Sequence, residues 1–116
     1  MMHGTIALSA QVRQMLATLG MDQKEFAAAV QTDTRTVRRW LADETYPQHG
    51  SRDKLLQIEA LVRRLDESFD DPEGPTLWLH TPSGYFGGLQ PLDALTRGRI
   101  DLVEAALDAI DAGVFV

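Results

Sequence analysis

Cysteine is absent from the 116 residues of the chain, which excludes a disulfide framework, a thiolate metal site and a cysteine nucleophile. The absence fits a reducing compartment. No apolar run approaches the roughly 18 residues that a membrane-spanning helix needs, and the opening Met1-Met2-His3-Gly4 has neither the basic nor the apolar stretch of a signal peptide. A soluble cytoplasmic protein is therefore expected. Histidine is scarce: His3, His49 and His80 lie far apart, with no pair at helical ligand spacing, so no metal site is expected. Ser83 stands in no nucleophile-elbow pattern. Gly84, Gly87 and Gly88 lack the preceding strand and the following Lys-Ser/Thr of a phosphate loop and read as a tight turn. Acidic pairs are plentiful, but none is distinguished as catalytic. The expectation is a protein that is not an enzyme and carries no cofactor. No segment alternates at period two, and there are no internal repeats, so the fold class expected is all-α.

Basic side chains are rare in one half only. Residues 1–66 hold nine Lys/Arg against eight Asp/Glu, whereas residues 67–116 hold two against nine, within a formal net charge of −6. The first half is near neutral with clustered arginines. The second is acidic and repelled by phosphate, so only the first is suited to touch nucleic acid.

What is present is helical periodicity. Ser9 to Leu19 carries Val12, Met15, Leu16 and Leu19 at 3-and-4 spacing, with Gly20 as a stop. Asp22 is placed to cap a helix burying Phe26, Ala27 and Val30, and Asp33 to cap one burying Val37, Trp40 and Leu41. Tyr46 to Gly50 reads as a loop, after which Ser51 starts a long helix with the stripe Leu55, Ile58, Leu61, Val62 and Leu65. Asp70-Asp71-Pro72-Glu73-Gly74-Pro75 marks a boundary. Beyond it come a short apolar patch, Thr76 to His80, then the glycine-rich loop, and then a short helix from Leu92 to Thr96 with Pro91 at its first turn. A last helix runs from about Arg99 to Ala112, striped by Ile100, Val103, Leu107 and Ile110 and stopped by Gly113. The expected division is a first domain over 1–68, a linker over 69–76 and a second domain over 77–116.

The segment Phe26 to Leu41 resembles the helix-turn-helix of the Xre (Cro/repressor-like) family. Ala27 is small enough for two helices to approach, and Val37 and Trp40 lock the second across the first. The outward positions of that second helix are Thr34, Arg35, Thr36, Arg38 and Arg39, the candidate DNA-binding residues: arginine donates two parallel bonds to guanine, and threonine bonds phosphate or touches a thymine methyl. Two departures stand out. Gln31 and Asp43 occupy places where relatives often carry glycine, and in the turn at Gln31 a left-handed residue costs about 1–2 kcal/mol without it. Asp43 and Glu44 also bring negative charge toward the expected DNA face.

The stretch from Leu77 to Val116 resembles the toxin-binding domain of the Xre/MbcA/ParS-like antitoxins. The resemblance rests on Trp78-Leu79, Pro82, Gly87-Gly88, Pro91-Leu92-Asp93-Ala94-Leu95, Gly98, Val103, Leu107, Ile110 and Gly113-Val114-Phe115-Val116, together with Arg35, Val37, Arg39, Trp40 and Pro47. It covers about residues 9–116. It implies a cognate RES-domain toxin that consumes NAD⁺ as partner, neutralised by an antitoxin whose C-terminal end covers the toxin's cleft. It also implies operator DNA, autorepression through the helix-turn-helix, and homo-oligomers and hetero-oligomers with toxin. The candidate toxin-binding residues are Gly113, Val114, Phe115 and Val116. An apolar tail after a glycine stop is a poor surface feature and a good plug, with Phe115 as anchor and the α-carboxylate of Val116 set to meet a cation. Val114 and Phe115 folding back on the chain's own core is the competing reading. The acids Asp101, Glu104, Asp108 and Asp111 read as a solvated helix face, and Trp78, Leu92 and Ile100 as core. The alternative functions are a stand-alone Xre-type repressor whose second half only dimerises, and an adaptor that binds no DNA.

Overall fold

The protein is described by a computed structural model covering residues 7–113. Among these residues there are seven α-helices, one 3-10 turn and no strand: α1 Leu8–Leu19, α2 Gln23–Ala29, α3 Thr34–Leu41, α4 His49–Ser68, α5 Gly74–Leu79, the turn Gly84–Phe86, α6 Pro91–Thr96 and α7 Ile100–Asp111. The all-α expectation holds. No helix among the described residues is long and apolar enough to cross a membrane.

The capping chemistry explains where the early helices begin. The Asp22 carboxylate accepts from the Glu25 N–H at 2.7 Å, and the Glu25 carboxylate accepts from the Asp22 N–H at 3.0 Å, a reciprocal capping box that starts α2. Asp33 accepts from the Thr36 N–H at 2.7 Å and starts α3. The expectation for α4 is corrected. The helix begins at His49 rather than after Ser51, because Gln48 is already extended and its carbonyl accepts from the Arg52 N–H at 2.7 Å. His49 and Gly50 therefore form its first turn instead of ending the loop.

The stretch expected as a linker holds the start of a helix. Pro75 stands at the first turn of α5, where its fixed φ is preorganised and its missing N–H costs nothing. Pro75 and Leu79 are buried, so the patch around Trp78 is a helical turn docked on α1. Two side chains of this region cap α1. The Thr76 hydroxyl donates to the Thr18 carbonyl at 2.7 Å, and His80 Nε2 lies 3.1 Å from the Leu19 carbonyl. Both carbonyls belong to the last turn of α1, which has no intrahelical partners for them. Gly20 permits the approach: its φ is +64°, and a Cβ there would stand 2.7 Å from Thr76 Cγ2.

One hydrophobic cluster runs through both halves. Val12, Leu19, Phe26, Val37 and Trp40 from the front of the chain join Ile58, Leu61 and Leu65 of α4, then Leu79, Leu95, Val103 and Leu107 from the back. Helix α4 is the shared wall: both α1 and α7 pack on it. Leu92 and Ile100 are buried, as expected, and Trp78 and Ile110 are half-buried against the same cluster. Each fully buried Leu or Ile stabilises the fold by about 1.5–3 kcal/mol relative to exposure.

Candidate functional site

Two surfaces carry the chemistry. The first is the outer face of α3. Val37 and Trp40 turn inward and are buried, and with them Ala27 holds α2 and α3 together. Among the described residues the Trp40 Nε1–H has no hydrogen-bond partner, and the buried ring serves by its volume. This fixes the opposite face. Arg35, Arg38 and Arg39 are exposed there, with Thr34 and Thr36 half-buried beside them, so the five expected residues share one helix and its outward side. Arg39 is not fully free, because its Nε lies 3.8 Å from a carboxylate oxygen of Glu44. Hydrogen bonding by Thr36, from its side chain and its backbone N–H, holds the Asp33 carboxyl below its ordinary value.

The two glycine-for-residue departures both adopt the left-handed conformation: φ is +59° at Gln31 and +57° at Asp43. Their compensations differ. The Asp43 carboxylate accepts from the Ser9 hydroxyl at 2.7 Å and from the Ser9 N–H at 3.1 Å, so it caps the first turn of α1. The Ser9 hydroxyl and N–H lower the Asp43 pKa. The charge expected to oppose DNA is thus turned onto α1. Gln31 instead lies against Gly98, where a Cβ would come within 2.9 Å of the Gln31 side-chain nitrogen. The turn of the helix-turn-helix therefore touches the turn between α6 and α7.

The second surface belongs to α5–α7. Asp108 and Asp111 both take hydrogen bonds from Arg64 of α4, the latter at 3.0 Å, and the pairing raises the Arg64 pKa. Asp101 takes two from Arg99, at 3.0 and 2.9 Å, which lowers its own pKa. Three of the four acids on α7 are therefore engaged within the chain, and Glu104 is exposed, in keeping with a solvated face. Gly113 follows α7 at φ +82° and is exposed. Val114, Phe115 and Val116 lie outside the described residues. Among the described residues no group of three or more histidines or acids is placed to hold a metal ion.

Sequence reasoning missed an apolar groove of about 320 Å³ on this second surface, lined by Tyr85, Phe86, Leu89, Ala94, Leu102 and Arg97 among others. The signal was in the chain. Tyr85, Phe86 and Leu89 are large apolar residues inside a glycine-rich turn, where burial in a regular element is not available to them.

A family model described as the antitoxin Xre/MbcA/ParS C-terminal toxin-binding domain matches residues 64–113. A probable mycobacterial cidal antitoxin of Mycobacterium tuberculosis is 30% identical over 93% of this chain and 91% of its own length. The mycobacterial cidal antitoxin MbcA of Mycobacterium bovis is 26% identical over 97% of this chain and 99% of its own. Among solved structures, the M. tuberculosis MbcT–MbcA toxin–antitoxin complex contains a chain that superposes with a TM-score of 0.69 at 26% identity, covering 97% of this chain and all of that one.

Proposed function

The chain belongs to the Xre/MbcA/ParS antitoxin family, and from that premise we propose that it is the antitoxin of a two-protein pair, acting in the cytoplasm without enzymatic activity of its own. Its partner in this reading is a RES-domain toxin that consumes NAD⁺. The observation that carries the reading is the match of residues 64–113 to a toxin-binding domain, because these residues form the end of α4 and the whole of α5–α7 with an exposed apolar groove. Neutralisation proceeds by covering the toxin's cleft, and Gly113 with Val114–Val116 reaches into it. The exposed exit of the chain from α7 at Gly113 supports that role.

The same reading assigns operator DNA to Thr34, Arg35, Thr36, Arg38 and Arg39, with autorepression by oligomers of the chain alone or with toxin. Their shared outward face on a capped helix supports it. Two experiments test these assignments. Deleting residues 114–116 should leave the fold intact and release toxicity when toxin and antitoxin are co-expressed. Survival at normal antitoxin levels would remove the tail from the mechanism. The double variant Arg35→Ala with Arg39→Ala should lose the electrophoretic shift of promoter DNA, and persistent binding would refute the recognition helix.

A further inference from the structure

The groove beside the 3-10 turn has two properties that no packing role explains. Among the described residues six large hydrophobic side chains stand exposed, and Tyr85, Leu89 and Leu102, at 49%, 43% and 39%, line this one hollow. The acidic second half of the chain, residues 67–116, has only two cationic side chains, and both Arg97 and Arg99 stand at the groove's rim. Arg99 is already engaged by Asp101 through two hydrogen bonds. Arg97 has no ion-pair partner among the described residues.

The walls are held in place before anything binds. The Ser83 carbonyl accepts from the N–H groups of Phe86 and Gly88 at 3.0 and 2.9 Å, and the Ser83 N–H donates to the Leu89 carbonyl at 3.1 Å, so the turn closes on itself. Tyr85 packs edge-on to Phe86 with ring centres 5.4 Å apart, Phe86 packs edge-on to Trp78 at 6.3 Å, and Trp78 lies tilted against Phe69 at 5.9 Å. This row of rings ties the groove to the core. A rigid apolar hollow with one uncommitted cation at its edge has the form of a binding hot spot, because little ordering remains to be done on association.

We propose that this groove receives a segment of the partner toxin in which a large apolar side chain lies next to a carboxylate, the apolar group seated between Leu89 and Leu102 and the carboxylate on Arg97. The inference rests on the antitoxin reading and adds to it a second anchor, separate from the chain end. The matched span selects the occupant. Every residue lining the groove lies within residues 64–113, the span that matches a toxin-binding domain, and a carboxylate of that partner pairs with Arg97, the arginine of the acidic half that is not engaged by a carboxylate among the described residues.

The test measures the affinity of the full-length chain for an inactivated form of the toxin, with thermal unfolding midpoints recorded for each variant. Leu89→Ser and Leu102→Ser should each weaken binding about tenfold or more. Arg97→Glu should weaken it by about thirtyfold at low salt and less at high salt, and Arg97→Lys should stay within about threefold because the point charge remains. Leu89 stands in an exposed turn, so its variant keeps the test valid should Leu102→Ser unfold. Binding that is unchanged in Leu89→Ser and Arg97→Glu, while the unaltered chain binds tightly, overturns the groove and leaves the antitoxin reading standing. Failure of the unaltered chain to bind the toxin overturns both. Variants that keep toxin affinity but shift the chain's own self-association place a second copy in the groove and refute the assignment.

Discussion

Leu107 of α7 is fully buried and packs into the cluster that α4 shares with the helix-turn-helix. Truncating it to alanine removes three carbons from a site the surrounding helices cannot fully collapse, at a cost of about 2–5 kcal/mol. That is a large part of the roughly 5–15 kcal/mol that holds a domain folded. For a chain of this length each kcal/mol moves the unfolding midpoint by about 4 °C, so Leu107→Ala should lower it by about 8–20 °C. Where the loss is felt is the sharper question. The protein has two tryptophans, Trp40 buried behind α3 and Trp78 among the aromatic row of the second half. In a Trp78→Phe background Trp40 alone reports on the helix-turn-helix. Because one core serves both halves, Leu107→Ala should move the Trp40 fluorescence transition and the far-UV circular dichroism transition together. A Trp40 midpoint that stays in place while helicity is lost earlier would refute the single core and show that the division near residues 69–76 is energetic as well as sequential. With a single transition, toxin bound at the second half stabilises the recognition helix by mass action.

Gln31→Gly should stabilise the protein by about 0.5–1 kcal/mol in urea unfolding, since it relieves left-handed strain of about 1–2 kcal/mol and returns part of it as added freedom of the unfolded chain. A lower urea midpoint would mean that the Gln31 contact with Gly98 outweighs the strain. Asp43 titrates below its ordinary value of 3.8 in the folded protein, so the unfolded chain binds more protons there and stability is lost as pH falls below that value through the folded one. Asp43→Asn should flatten this acid loss in a series of thermal melts, with lower stability at neutral pH. Helix α7 has two acids and no base in its last turn, an arrangement its own dipole disfavours, and Arg64 of α4 supplies the missing cation. Arg64→Leu should speed amide hydrogen exchange at Ile110–Gly113 while leaving that of α1 unchanged, and equal protection in both proteins would make the pairing incidental.

Much of this was legible because local rules and tertiary packing agreed. Asp22 and Asp33 followed by helical stripes are capping signals that need no tertiary information, and the stripes of α4 and α7 bury the residues their period selects. Most of the failures share one cause: the deciding contact is distant in sequence. Gly74-Pro75 reads as a break until the Thr18 and Leu19 carbonyls of α1 are there for Thr76 and His80 to cap. Asp43 reads as a charge facing DNA until Ser9, 34 residues away, turns it aside. The groove escaped notice for a related reason. Tyr85, Phe86 and Leu89 have no period to betray a face, and only the fold brings Arg97 and Leu102 beside them. Ser51 as a helix start failed more locally, because Gln48 closes the turn with its backbone and needs no side-chain cap.

Charge placement also constrains how α3 would act on DNA. Proteins that hold DNA by neutralising about 6–10 phosphates depend steeply on salt, and one copy here offers three exposed arginines on α3, one of them shared with Glu44, on a body of net charge −6. A single copy is then a weak ligand whose acidic second half is repelled by the same phosphates. Joining two copies makes the second contact intramolecular, at an effective concentration on the order of millimolar, and can raise avidity by about 10²–10⁴ without any new contact. Promoter binding should therefore rise more steeply than first order with protein concentration and shift to lower concentration when toxin gathers the copies, as read by gel shift or fluorescence anisotropy across a dilution series. Tight, first-order binding by a monomer would break this deduction, since three arginines on an acidic body do not supply enough attraction for it.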